Sequence, residues 1–171
     1  MKKEILGLLA AVLLMTGCSS NIKDGVSYLE EGNYDKAITA FQFAINEEKN
    51  IGEANRGMAL AYYELGNYEE AVECFKSALE NESEETASLY HLMGSSYMQL
   101  EDYENAITYF EKALLFEDCT DEMRKEMMYN KVVAYEKMMD WDSAKIAVDN
   151  YLNSYPDDEM AIKESEFLET R

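Results

Sequence analysis

Proline occurs once in the 171 residues and glycine 8 times. Many short strands would need more of that punctuation, and the abundance of Ala, Glu, Leu, Met and Lys points instead to an all-α fold. Histidine also occurs once, at His91. Multi-histidine metal centres and most Ser/His/Asp and Cys/His arrangements are thereby excluded. Basic residues are scarce too: 15 Lys and Arg face 35 Asp and Glu, a formal net charge of -20. Nucleic acid is therefore not an expected partner. The 47% hydrophobic content is still that of a folded chain, and the length suits one domain. Long apolar runs are missing as well. Ile5 to Met15 would extend about 16 Å as a helix, short of the roughly 30 Å hydrocarbon layer.

That run is preceded by Lys2 and Lys3 and ends in Leu14-Met15-Thr16-Gly17-Cys18. A positive start, an apolar run and small residues before a cysteine make a targeting segment. The cysteine stretch resembles the lipobox of bacterial lipoprotein signal peptides, with Met15 where Leu is usual. The resemblance implies that residues 1–17 are removed and that Cys18 is acylated as the new N-terminus. An ordinary secretory leader with a chance cysteine is the alternative. Losing two lysines and one glutamate leaves a still more acidic body, so attachment to an anionic membrane would rest on acyl chains. Ser19, and not Asp, follows Cys18, which in a two-membrane cell favours the outer membrane.

The rest of the chain echoes itself. "GNYDKAITAFQFAI" (Gly32 to Ile45) returns as "GNYEEAVECFKSAL" (Gly66 to Leu79), as "EDYENAITYFEKAL" (Glu101 to Leu114) and, more weakly, as "MDWDSAKIAVDNYL" (Met139 to Leu152). The pattern resembles the tetratricopeptide repeat, a helix-turn-helix unit of about thirty-four residues. The eleventh place of the units reads Tyr28, Tyr62, Tyr97 and Tyr135; the twentieth reads Ala37, Ala71, Ala106 and Ala144. Small residues mark where paired helices can approach closely. Gly25, Ala59 and Gly94 do so at the eighth place, and Phe41, Phe75 and Phe110 follow the repeated alanines by four residues, on one helical stripe. Gly32 and Gly66 suit a left-handed turn between the helices.

The resemblance implies a right-handed α-solenoid of four units, about 18–51, 52–86, 87–124 and 125–156, closed by a capping helix at 157–170. Glu101 and Met139 replace the turn glycine in units three and four, where the match is weakest. The insertion in "FEDCTDEMRKE" is expected to fall in a turn. The cap is expected to bury Met160, Ala161, Phe167 and Leu168 and to keep a polar outer face.

No catalytic, metal or cofactor constellation stands out. The acidic runs "ESEET" and "DDE" lack the alternating ligands and central glycine of a calcium loop, and read as solvated helix ends. Cys74 and Cys119 fall too far apart in the repeat register for a bridge and are expected as free thiols.

By resemblance, the first helices line a concave groove that takes a protein or peptide. Its candidate contacts are Leu29, Arg56, Leu60, Tyr63, His91, Met98, Tyr129 and Val133. The implied function is a non-enzymatic, lipid-anchored scaffold at the bacterial cell envelope, facing outward from the membrane. The alternative is an assembly factor or pilotin-like component of a secretion, pilus or outer-membrane insertion machine.

Overall fold

The computed structural model describes residues 20–171. Cys18 and the leader lie outside them. The described residues form the helices α1 (Ser20–Glu30), α2 (Tyr34–Asn46), α3 (Ile51–Leu65), α4 (Tyr68–Glu80), α5 (Ala87–Gln99), α6 (Tyr103–Ala113), α7 (Asp121–Lys137), α8 (Trp141–Ser154) and α9 (Glu159–Leu168), with no strand among them. Each helix packs on the next, and the first helices of successive units also meet one another, α1 on α3, α3 on α5 and α5 on α7. The result is the expected right-handed solenoid.

The repeated small and aromatic residues hold it together. Ala37, Ala71, Ala106 and Ala144 are fully buried, as are Phe41, Phe75 and Phe110. Phe41 is clamped by glycines: a Cβ on Gly25 would lie 2.6 Å from its ring, and one on Gly57 would lie 2.4 Å away. Gly94 bears the same relation to Phe110, at 2.6 Å. Ordinary carbon contacts need about 3.5–4.0 Å, so these glycines are the space that the rings fill.

One turn geometry serves all four units. The N–H groups of Asn33, Asn67, Asp102 and Asp140 donate to the carbonyls of Tyr28, Tyr62, Tyr97 and Tyr135 at 2.8–2.9 Å. This is the six-to-one bond of a Schellman ending, and it needs a left-handed residue just before the donor. Gly32 (φ 73°) and Gly66 (φ 81°) supply it, and so do Glu101 (φ 59°) and Met139 (φ 58°), against the usual preference of L-residues. In the last two units Asp102 and Asp140 add side-chain caps, accepting from the N–H groups of Asn105 and Ser143.

Two details differ from the sequence reading. The insertion after α6 does not all fall in the turn, because Thr120 caps the N–H of Met123 and starts α7 at Asp121, inside the expected loop. The cap helix buries Ala161 and Leu168 but leaves Met160 68% and Phe167 42% exposed. Asp158 fixes that register by accepting from the N–H groups of Met160 and Ala161. Its carboxylate also takes a bond from Tyr151 on α8 and pairs with Lys125 on α7, both at 2.9 Å. The "DDE" run is thus a fastening between three helices. Part of "ESEET" is also used in packing: Ser83 is buried, Glu85 accepts from Tyr90 at 2.7 Å, and Thr86 caps α5.

The core has two parts. One runs from Ile22 to Met127; the other joins Val132 of α7 to Ala144, Val148, Tyr151, Ala161 and Leu168. Helix α7 contributes to both.

Candidate functional site

The eight candidate contacts lie on α1, α3, α5 and α7, the first helices of the units and the inner layer of the stack. The structure brings them together but does not leave them equally open. Leu29, Arg56, Leu60 and His91 are buried, whereas Tyr63, Met98, Tyr129 and Val133 are half-buried. The sequence reading treats all eight as accessible. Burial at this layer depends on what lies over it, and no local pattern encodes that.

Arg56 is 2% exposed. Its Nη2 donates to Glu53 one turn earlier, and Glu53 accepts from Ser83 at 3.2 Å, but Nε and Nη1 have no partner. His91, also 2% exposed, sits on the Phe110 ring at 6.2 Å. Its Nε2 lies 3.5 Å from Glu126 on α7, with no well-formed hydrogen bond at either ring nitrogen. The His91 ring holds the Glu126 carboxyl below its ordinary range, against the opposing effect of burial.

Tyr63 links the two halves of this layer. Burial, reinforced by Tyr68 and Glu126, pushes its hydroxyl up to about 12, and Ser95 of α5 bonds to it. It therefore stays neutral. Tyr129 packs edge-on against Tyr151 at 5.5 Å, and burial raises its hydroxyl, helped by Glu164, Glu136 and Asp158. Beside it, burial pushes the Glu136 carboxyl up to about 7, and the facing Glu164 adds to that shift. Glu136 Oε1 is buried without a partner. The open part of the inner layer, around α7, is thus aromatic and aliphatic with a carboxylate border.

Sequence reasoning did not find Glu136 and Glu164 as a facing pair, because α9 reaches α7 only through the register that Asp158 sets. Other groups are quiet. Cys74 and Cys119 are free, and burial pushes the Cys74 thiol up to about 11. Among the described residues no cluster of His, Cys, Asp and Glu could hold a metal ion, and no helix is long and apolar enough to cross a membrane.

Comparison with known proteins agrees with this architecture. The chain is similar to the MamA RS-1 ArsTM double mutant, with a TM-score of 0.72 and 19% identity over 91% of this chain and 86% of that one. It is also similar to TTC0263, a thermophilic TPR protein of Thermus thermophilus, with a TM-score of 0.55 and 17% identity over 97% of this chain and 89% of that one. At such identity the likeness speaks for the fold alone. No curated protein matches the sequence. Residues 28–95 match one family model described as tetratricopeptide repeat, and residues 87–117 match a second with the same description. Proteins built from these repeats generally mediate protein–protein interaction. The two matches together run over residues 28–117, and the paired helices stack as the repeat requires: this part of the chain is built of tetratricopeptide repeats.

Proposed function

We propose that this chain is a non-enzymatic, lipid-anchored scaffold of the bacterial cell envelope that holds a partner protein's segment against its inner layer of first helices. The supporting observation is the half-open strip of Tyr63, Met98, Tyr129 and Val133 beside the Glu126, Glu136 and Glu164 carboxylates. Half-buried aromatics give large contact area at little entropic cost, and a carboxylate border steers a helix whose apolar stripe is flanked by Lys or Arg. The lipid anchor rests on the Leu14-to-Cys18 stretch, so attachment and recognition are separable.

Affinity capture from native membranes tests recognition. Tyr63→Ala, Met98→Ala and Tyr129→Ala together should abolish recovery of the partner while leaving the helical spectrum intact. Leu60 is left unchanged because it is buried and its loss would cost stability. Unchanged recovery rejects this face. Radiolabelled fatty acid tests the anchor: label on the native chain and none on Cys18→Ser is the expected pair, and an unlabelled native chain refutes lipidation.

A further inference from the structure

The last helix is seated like the first helix of a further pair. Two places on each first helix are shut away against the pair before it: Ala54 and Ala61 on α3, Leu89 and Ser96 on α5, Met127 and Ala134 on α7, all fully buried. On α1, which has no described pair before it, the same places hold the exposed Ser20 and Ser27. Thirty-four residues after Met127 and Ala134 stand Ala161 and Leu168 of α9, again fully buried. In a helix, fixing the direction of two side chains fixes the rest. Met160, Lys163 and Phe167, thirty-four residues after Glu126, Tyr129 and Val133, therefore fall on the same side of the stack as those three.

Two contacts tie α9 to α7 there. Glu164 faces Glu136 and bears on the Tyr129 hydroxyl, and Asp158 at the start of α9 pairs with Lys125 at 2.9 Å. Beside that pair a cleft of about 460 Å³ opens, lined by Lys125, Met160 and the turn from Tyr155 to Glu159. A helix that served only to close the stack would turn polar side chains outward. Helix α9 instead leaves Met160 and Phe167 in solvent, beside the half-open Tyr129 and Val133.

The charge around this apolar patch is one-sided. Glu126 is exposed, and Glu136 and Glu164 face each other as like charges that Lys137 offsets only in part. Against them stands Lys163, in a chain of formal net charge -20. A cation between Glu136 and Glu164 is favoured by both. Arg171 rests on the Phe167 ring at 4.6 Å, so the chain itself uses that ring to seat a cation.

We infer that the partner-binding face runs on from α7 across α9, and that its occupant is an amphipathic helix of a partner protein. The apolar stripe of that helix packs on Tyr129, Val133, Met160 and Phe167, and a Lys or Arg beside the stripe lies between Glu136 and Glu164. The inference deepens the reading of the inner layer as a binding surface and rests on it; it adds the helix on which the contact ends and the partner residue that is selected.

The probe is a fluorescein-labelled model helix about 18 residues long, with one leucine stripe and two lysines beside it, titrated against the full chain and read by anisotropy. Met160→Ser with Phe167→Ser should weaken binding by about tenfold or more, as should Glu136→Gln with Glu164→Gln, and glutamates in place of the probe's lysines should abolish it. Phe43→Ser, at an exposed phenylalanine on α2, should change nothing. A probe that does not bind, or that binds the Met160 and Phe167 variant as tightly as the native chain, overturns the inference. So does a homodimer that Phe167→Ser disrupts, since a second copy would then own the face. Should the double serine variant melt early, a benzoyl-phenylalanine in the probe's stripe decides: cross-links to both α7 and α9 support the inference, and cross-links only elsewhere, or none, overturn it. Capture of the native partner tests the face as a whole and can succeed where the probe fails, so the two readings fall separately.

Discussion

Replacing Gly57 by alanine tests the packing logic at its tightest point. A Cβ there would lie 2.4, 2.6 and 2.7 Å from Cζ, Cε2 and Cε1 of Phe41. To restore ordinary contact the ring must retreat by about 1 Å. It cannot do so freely, because Gly25 also crowds the ring, a Cβ there sitting at 2.6 Å, and Phe41 is fully buried. Overpacking of this kind costs about 1–3 kcal/mol, while alanine in place of glycine inside a helix returns about 1 kcal/mol. The net expectation is a loss of up to about 2 kcal/mol, or up to about 8 °C in Tm for a domain of this size. Urea denaturation should show the loss as a lower midpoint at unchanged slope. The sign should reverse on removing the obstacle: with Phe41→Leu already present, Gly57→Ala should be neutral or stabilising by up to about 1 kcal/mol, a coupling that a double-mutant cycle reads directly. If Gly57→Ala raises the midpoint in the native background, the glycine-and-ring account of unit spacing is refuted.

Three further outcomes follow from the turns and the cap. Met139→Gly should stabilise by about 0.5–1 kcal/mol, since it relieves a left-handed residue (φ 58°) whose side chain is 71% exposed and packs on little; a lower thermal midpoint would contradict this. Burial, with Glu164 beside it, raises the Glu136 carboxyl from 4.5 to about 7, so its protonated form suits the fold and its contribution is lost as pH rises through that window; Glu136→Gln should come closest to the native chain below about pH 4.5 and exceed it in stability near about pH 8, and a constant difference across that range would show that the carboxyl is not raised. The Asp158 carboxyl is held down at about 2 by Lys125, Tyr151 and the Ala161 N–H, so its contribution is present above about 3.8 and lost on acidification through about 2; Asp158→Ala should raise amide exchange in α9 at neutral pH and leave α1 to α4 unchanged.

What the sequence makes legible here is whatever one helix pair decides by itself. Ala37 with Phe41, Ala71 with Phe75 and Ala106 with Phe110 carry their burial in a four-residue spacing, and Gly32 and Gly66 carry their turns in their own conformational freedom. Glu101 and Met139 show the limit. The turn in those units is imposed by the Schellman bond to Tyr97 and Tyr135 and by helix packing on both sides, so left-handed backbone appears without its usual residue. The cap shows another limit. Met160 with Phe167 and Ala161 with Leu168 are two parallel apolar ridges of equal spacing, and only the capping register of Asp158 selects the second for burial. Among the candidate contacts, sequence position assigned Tyr63, Met98, Tyr129 and Val133 to the inner layer together with Leu29, Arg56, Leu60 and His91. Which of them meets solvent is a property of the assembled stack.

The division of the core gives the molecule a direction. In a solenoid each unit is stabilised by its neighbours, so the unit at the boundary between two cores joins them. Helix α7 occupies that boundary, sending Met123 and Met127 into the larger core and Val132 into the smaller. It also carries Tyr129 and Val133 on its half-open side, and Glu136 in an energetically poor position against Glu164. Among the four units, the first helix at the boundary is therefore also the one whose inner face is most accessible. A partner that neutralises the Glu136 and Glu164 pair with a cationic side chain would remove an unfavourable contact while gaining the aromatic surface beside it. Binding there and tightening of the fourth unit onto the first three would then be one thermodynamic event.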